Sequence, residues 1–271
     1  MTDLKVAIAG AGGRMGAANV RAFANAPGIE IVAAFDREGA PAIGVDAGAH
    51  AGIEALGVTI NDDAEASLAA ADAVVDFTAP AASVALAKLA AKHKLIHIIG
   101  TTGCTAEDDA AIAAAAKAGA RIVKSGNFSL GVILLASLVR RAAQALGPEW
   151  DIEIVEMHHN KKVDAPSGTA LLLGKAAAAG RNIELDAHSA RGRDGHTGAR
   201  KQGDIGFAAL RGGNVIGDHT VMFAGPTERI EMTHRAEDRS LFAQGAVRAA
   251  LWVRTQKAGL YDMDDVLGLK E

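Results

Sequence analysis

Residues 6–16 read VAIAGAGGRMG. Four apolar residues, Val6 to Ala9, run into glycines at positions 10, 12, 13 and 16, and a helix-forming stretch begins at Arg14. A short strand buried on both faces, a tight glycine turn and a helix start is the arrangement that receives a dinucleotide pyrophosphate. The free N–H groups and the positive dipole end of the helix attract the phosphates, and glycine lets the backbone come close to them. The spacing fits G-x-x-G-x-x-G, whereas G-x-G-x-x-G would need a glycine where Met15 stands. Taken alone, the stretch also reads as a tight turn without a ligand.

The pattern repeats outward from this turn. Strand-like runs at 5–9, 30–35, 73–77, 95–99 and 121–124 are short and apolar, as strands buried on both faces are. Helical stretches at 14–25, 81–92 and 106–118 lie between them. This alternation predicts an α/β fold, a Rossmann-type doubly wound parallel sheet with right-handed crossovers. After residue 127 the pattern changes. A long helix is expected over 129–146, stopped by Gly147-Pro148, then an alternating strand at 151–158 and a helix from Ser167. Three strand-like runs follow at 204–211, 219–224 and 229–233, and a last amphipathic helix at 240–256. Strands without intervening helices predict a second α+β domain with a mixed or antiparallel sheet. The expected organisation is a dinucleotide-binding domain of 1–127 with 240–271, interrupted by a second domain of 128–239.

The end of the second strand strengthens the dinucleotide reading. It runs FDREG, which puts Asp36 where an acid accepts hydrogen bonds from adenosine ribose hydroxyls. Arg37 follows and can pair with a 2′-phosphate, so the expectation is NADH, NADPH or both. Two later loops, IIGTTG (98–103) and VKSGNFS (123–129), follow strands whose carboxyl ends face the same crevice. Gly100, Thr101 and Thr102 would bring backbone and hydroxyls to the nicotinamide, and Asn127 would hold its carboxamide.

Composition limits the alternatives. The 271 residues are 49% hydrophobic and 22% charged, with 28 Lys and Arg against 32 Asp and Glu and a net charge of −4. That balance argues against nucleic-acid or membrane-surface binding. Cys104 is the only cysteine, which excludes an internal disulfide and suggests a reducing compartment. The start MTDLKVAIAG lacks the shape of a signal peptide, and no run of eighteen apolar residues occurs. A cytoplasmic protein is the expectation.

The densest chemistry lies at 156–170, EMHHNKKVDAPSGTA. His158 and His159 end the strand on opposite faces, a poor chelating pair, and no metal-ligand spacing occurs, so no metal site is expected. Pro166-Ser167-Gly168-Thr169 reads as a helix start capped by Ser167. Bare N–H groups there, beside lysines and histidines, make a receptacle for a carboxylate or phosphate. A plain basic loop capping a helix is the alternative. His50, His93, His97, His188, His219 and His234 read as surface or structural groups.

That stretch, read as E-x-H-H-x-x-K-x-D-x-P-S-G-T-A, resembles the signature of the dihydrodipicolinate reductase family. The resemblance extends along nearly the whole chain through GAGGRMG, DFT (76–78), GTTG (100–103), NFS (127–129), RDGHTG (193–198), GDIGFAALRGGNVIGDHT (203–220) and FAQGAVRAALW (242–252). It implies NAD(P)H-dependent reduction of a cyclic dicarboxylate on the diaminopimelate route to lysine. It further implies His158 as general acid/base, Lys162 as proton donor, and His159, Gly168 and Thr169 as substrate-binding positions. Gly10, Ala11, Gly12, Gly13, Arg14, Met15, Asp36, Arg37, Gly100, Thr101, Thr102, Ser125, Gly126, Asn127 and Phe128 correspond to the cofactor site. A homotetramer built from the second domain's sheet is implied as well. The competing readings are another two-domain nicotinamide-dependent dehydrogenase, acting on aspartate or a sugar, and a non-enzymatic dinucleotide sensor. The lysine, histidine and Ser-Gly-Thr constellation argues against both, since a sensor has no need of a placed proton donor.

Overall fold

The computed structural model describes residues 2–270. In chain order the elements are β1 (Leu4–Ala9), α1 (Arg14–Ala24), β2 (Ile29–Phe35), α2 (Ala47–Ala51), β3 (Ile60–Asn61), α3 (Ala64–Ala69), β4 (Ala73–Asp76), α4 (Pro80–His93), β5 (Ile96–Ile99), α5 (Ala106–Lys117) and β6 (Arg121–Lys124). They continue with α6 (Leu130–Ala145), β7 (Asp151–His158), α7 (Gly168–Gly180), β8 (Ser189–Ala190), β9 (Ile205–Arg211), β10 (Asp218–Ala224), β11 (Arg229–Arg235), α8 (Ser240–Val253), β12 (Gly259–Tyr261) and α9 (Met263–Leu267). The chain divides into two compact units, Met1–Leu130 with Ser240–Glu271, and Gly131–Arg239.

The first unit holds a seven-stranded sheet of order β12-β6-β5-β4-β1-β2-β3, parallel throughout. The expected doubly wound sheet is therefore present. Val6, Ala7 and Ile8 are fully buried, because helices cover both faces and leave no solvated side. Ala7 and Ala9 join a core with Leu68, Leu86, Ile99, Ile112 and Ile122. On the alternate face α1 and α8 pack together. Strand order reverses between β1 and β4, and in such sheets the crevice at this switch receives the ligand. The short elements α2, β3, α3 and β12 escaped the sequence reading. β12 joins the edge of the sheet beside β6 with only three residues, too few to show a period.

The second unit holds a five-stranded mixed sheet of order β11-β10-β7-β9-β8. β10 runs antiparallel to β7 and β11, whereas β7–β9 and β9–β8 are parallel. β7 alternates as its sequence predicts: Ile152, Ile154, Glu156 and His158 lie on the buried face. Ile152 and Ile154 meet Leu135 and Val139 of α6, Leu173 and Ala177 of α7, and Val221 and Phe223 of β10. The same alternation then carries the next two inward positions, Glu156 and His158, to the end of the strand. An apolar core thus gives way to buried ionisable groups.

Candidate active site

In the first unit the glycine turn is shaped by what a side chain would strike. Gly10 has φ +66°, and a Cβ there would lie 2.8 Å from Thr78 Cγ2, just past the end of β4. Gly13 is the N-cap of α1 and makes no side-chain cap bond, so the helix start presents bare backbone. At Gly16 a Cβ would come within 2.0 Å of the Gly10 carbonyl oxygen. Gly16 therefore lets the helix lie against the turn, with the spacing read as G-x-x-G-x-x-G. Arg14 is exposed, Met15 half-buried and Ala11 buried.

Asp36 stands directly beside this turn. Its Oδ2 accepts from Gly12 N–H at 2.9 Å and its Oδ1 from Arg37 N–H at 2.8 Å. Arg37 itself is exposed. His50, from α2, lies 3.1 Å through Nε2 from the Gly12 carbonyl oxygen. The β5 loop is tied in from below. Thr101 is buried, and its hydroxyl accepts from Thr78 N–H at 3.0 Å and from Ser83 Oγ–H at 2.8 Å. That hydroxyl thus serves the loop, while Thr102 is exposed. Beneath it lies Asp76, held 3.2 Å from His97 Nε2 with both side chains fully buried. Burial raises the Asp76 pKa, but His97, Ser83 and Thr78 outweigh it and the net shift is downward. Gly100 fits because a Cβ would sit 2.2 Å from the Phe77 ring. Phe77 in turn packs on Phe128 with centroids 5.4 Å apart. Ser125 N–H donates to Ile99 O at 3.1 Å, and Ser125 Oγ–H donates to Asn127 O at 2.6 Å. Asn127 is buried, with its side-chain oxygen accepting from Ser129 N–H, and Gly126 is exposed at the turn. The three loops named from sequence converge at one end of the parallel sheet.

The second unit gathers its chemistry at the end of β7. The Glu156 carboxylate is buried, 2.6 Å from His158 Nδ1. Arg211, from the neighbouring β9, donates to it through Nη1 at 2.8 Å and Nη2 at 2.9 Å. Ser167 N–H donates at 3.1 Å. Burial alone would raise the Glu156 pKa, but the bonds and charges of Arg211 and His158 bring it below the usual carboxylate value. Ser167 is the N-cap of α7, accepting from Ala170 N–H at 3.1 Å, as its sequence predicts. Gly168 and Thr169 open the helix, with free space where a Gly168 Cβ would stand.

Lys162 reaches Asp164 at 2.8 and 2.9 Å, whereas Lys161 is exposed. His159 leaves the strand direction: its N–H donates to Val215 O at 2.7 Å, and its Nε2 lies 3.2 Å from Arg239 Nη2. The adjacent histidines therefore have different partners. Glu156, Arg211 and His219 were not singled out as site groups from sequence. His219 was read as surface or structural, and it is buried. Its ring meets His158 edge-on at 5.1 Å, and its Nε2 lies 2.9 Å from Ser167 Oγ. Burial, then the neighbouring His158, push its pKa down to about 4. The available signal was the period of two: Glu156 shares a face with His158, and the alternation of β10 sends His219 inward with Val221 and Phe223.

This chain can be set beside known proteins. The family model described as dihydrodipicolinate reductase, N-terminus, matches residues 4–128, and that described as dihydrodipicolinate reductase, C-terminus, matches residues 131–267. The 4-hydroxy-tetrahydrodipicolinate reductase of Rhodopseudomonas palustris (strain BisB18) is 58% identical over 271 residues, covering 100% of both chains. That of Brucella abortus (strain 2308) is 60% identical over 263 residues, 97% of this chain and 98% of the relative. Among solved structures, the dipicolinate-bound dihydrodipicolinate reductase from Paenisporosarcina sp. TG-14 superposes with a TM-score of 0.78 at 24% identity, covering 96% of this chain and 98% of that one. With both domain models matched in order and close relatives along its full length, the chain belongs to the dihydrodipicolinate reductase family.

Proposed function

We propose that this protein reduces 4-hydroxy-tetrahydrodipicolinate to tetrahydrodipicolinate with NADH or NADPH, in the diaminopimelate route to lysine. The observation that carries this reading is the constellation at 156–169. A buried carboxylate holds a histidine beside a capped helix start, with a lysine in the intervening loop.

The glycine turn fits a dinucleotide. Gly10 and Gly13 keep the approach to α1 bare, and Asp36 lies against Gly12 where ribose hydroxyls would be met. When bound, the reduced nicotinamide would supply a hydride to ring C4 of the conjugated imine that remains once the 4-hydroxyl has left as water. The chain's residues do the rest. The amides of Gly168 and Thr169 at the start of α7 and the His159 side chain receive a carboxylate. The Lys162 ammonium meets negative charge developing toward the ring nitrogen and donates a proton there. His158 moves the proton of the following tautomerisation. The buried Asp76 network and the Phe77–Phe128 pair hold the backbone of Gly100–Thr102 and Ser125–Phe128 in place for the nicotinamide.

We read the protein as a homotetramer assembled through the face of the mixed sheet opposite α6 and α7. Val155, Met157 and Met222 lie there half-buried beside Leu210, which is 50% exposed. Light scattering on the wild type and Leu210→Lys tests this, a monomeric wild type being contrary. Among the described residues, no helix is long and apolar enough to cross a membrane.

The activity is tested by NADH and NADPH oxidation with the product of dihydrodipicolinate synthase, and with aspartate as control. Turnover of aspartate but not of the cyclic substrate would favour the alternative dehydrogenase. Binding of dinucleotide without turnover of either would favour a sensor.

A further inference from the structure

We infer that Glu156 is a positioning residue that sets which nitrogen of His158 carries the working proton, and that it can do so only as a full carboxylate. This deepens the proposed reaction and rests on it for the role of His158.

Oε2 of Glu156 takes His158 Nδ1 and Arg211 Nη1, and Oε1 takes Arg211 Nη2 and Ser167 N–H. An ionised carboxylate offers about four acceptor positions and no donor. The backbone amide and the guanidinium can only donate. These obligate donors claim three of the four positions, and because the ionised carboxylate has no hydrogen to give, the remaining partner, His158 Nδ1, must present one to the fourth. The imidazole is then fixed as Nδ1–H, with Nε2 as the nitrogen that exchanges protons. Nε2 lies beside Gly217, where a Cβ would stand only 3.0 Å away, so glycine leaves room next to it.

The same carboxylate also sets the anion receptacle. By accepting from Ser167 N–H it holds the N-cap of α7, whose hydroxyl accepts from Ala170 N–H. Arg211 adds a second tie, donating through Nη2 to Asp164 O in the intervening loop. One ionised side chain thus fixes the proton-exchanging nitrogen and the helix start. An amide in its place fails at one or the other. Whichever way Gln is turned, its NH2 faces Arg211 and either His158 Nδ1–H or Ser167 N–H.

The test reads the tautomer directly. Histidine-selective 15N NMR at pH 8.5, well above the ordinary imidazole value of about 6.5, is recorded for the wild type and Glu156→Gln, with His158→Gln to assign the signal. The wild type should show His158 with a protonated Nδ1 and an unprotonated Nε2. Glu156→Gln should populate the other tautomer and lower kcat by about 10²–10⁴-fold, with KM for NADH changed less than threefold. Should Glu156→Gln fold poorly, the wild-type spectrum still decides. A wild-type His158 protonated at Nε2 overturns the proposal, as does a folded Glu156→Gln protein that keeps both tautomer and kcat. Because the spectrum needs no substrate, a wild type with the expected tautomer and no turnover would count against the proposed reaction and leave the hold of Glu156 on His158 standing.

Discussion

His219 ties the stability of the second unit to pH through a range in which most groups are silent. Its ring is 3% exposed, bonded to the cap of α7 and set against His158, and its pKa is lowered from 6.5 to about 4. The unfolded chain takes up this proton below pH 6.5, whereas the folded chain refuses it until about pH 4. Acidification through that window therefore favours unfolding. The slope approaches 1.4 kcal/mol per pH unit, and the full shift corresponds to about 3 kcal/mol. Carboxylates such as Glu156, whose folded pKa is also lowered, lose their contribution only below about pH 4.5. The interval from 6.5 to 4.5 thus isolates histidine. Burial lowers the His234 pKa too, which adds a slope of the same sign. Urea unfolding at half-unit steps from pH 7.5 to 4.5 measures the effect for wild type and His219→Gln. The variant should start less stable at pH 7.5, because the ring packing is gone, and the two curves should converge by about 2–3 kcal/mol toward pH 4.5. Curves that stay parallel would show that His219 titrates alike in both states and would refute the reasoning.

Other tests follow from the same geometry. Asp36→Ala should weaken NADH more than NADPH and Arg37→Ala the reverse, read as KM for each cofactor; equal losses in each variant would contradict the assignment. Lys162→Ala should lower kcat by about 10²–10⁴-fold. Lys161→Ala should change only a KM that fades with added salt, and the roles are wrong if the two variants exchange behaviour. Gly16→Ala should cost about 3 kcal/mol or more, because its Cβ would meet the Gly10 carbonyl at 2.0 Å; an unchanged melting temperature would show that the turn is looser than described.

The fold was legible where the chain repeats a period over enough residues. Every long helix and each strand of four or more residues appears within a few residues of its expected position. β3, β8 and β12 were not, since two or three residues cannot display alternation. The glycine turn was legible because a strand, a turn and a helix each leave a local mark. The partners of Asp36 needed coordinates, since hydrogen-bond direction is not a sequence property. Thr101 shows the limit in the other direction. Its position beside Gly100 gives no sign that its hydroxyl is occupied by Thr78 and Ser83. Arg211 and His219 lie 55 and 63 residues beyond Glu156 in sequence. Only strand pairing, β9 on one side of β7 and β10 on the other, brings them to it.

The interruption of the first unit by the second dictates an order of events on the ribosome. Met1–Leu130 emerges without α8, whose Ala243, Ala246, Ala249, Ala250 and Val253 are buried in the finished unit, and without β12, which completes the sheet edge. Gly245 of that helix is moulded to the Phe128 carbonyl, where a Cβ would intrude to 1.7 Å. The dinucleotide-type sheet must therefore wait, with α1 lacking its partner helix on one face, until about the last thirty residues are made. The contiguous stretch Gly131–Arg239 carries its own core and meets no such delay. Nascent chains released at residue 239 should then hold a protease-resistant second unit and an exposed, aggregation-prone first one, the reverse of the usual N-terminal-first order of synthesis.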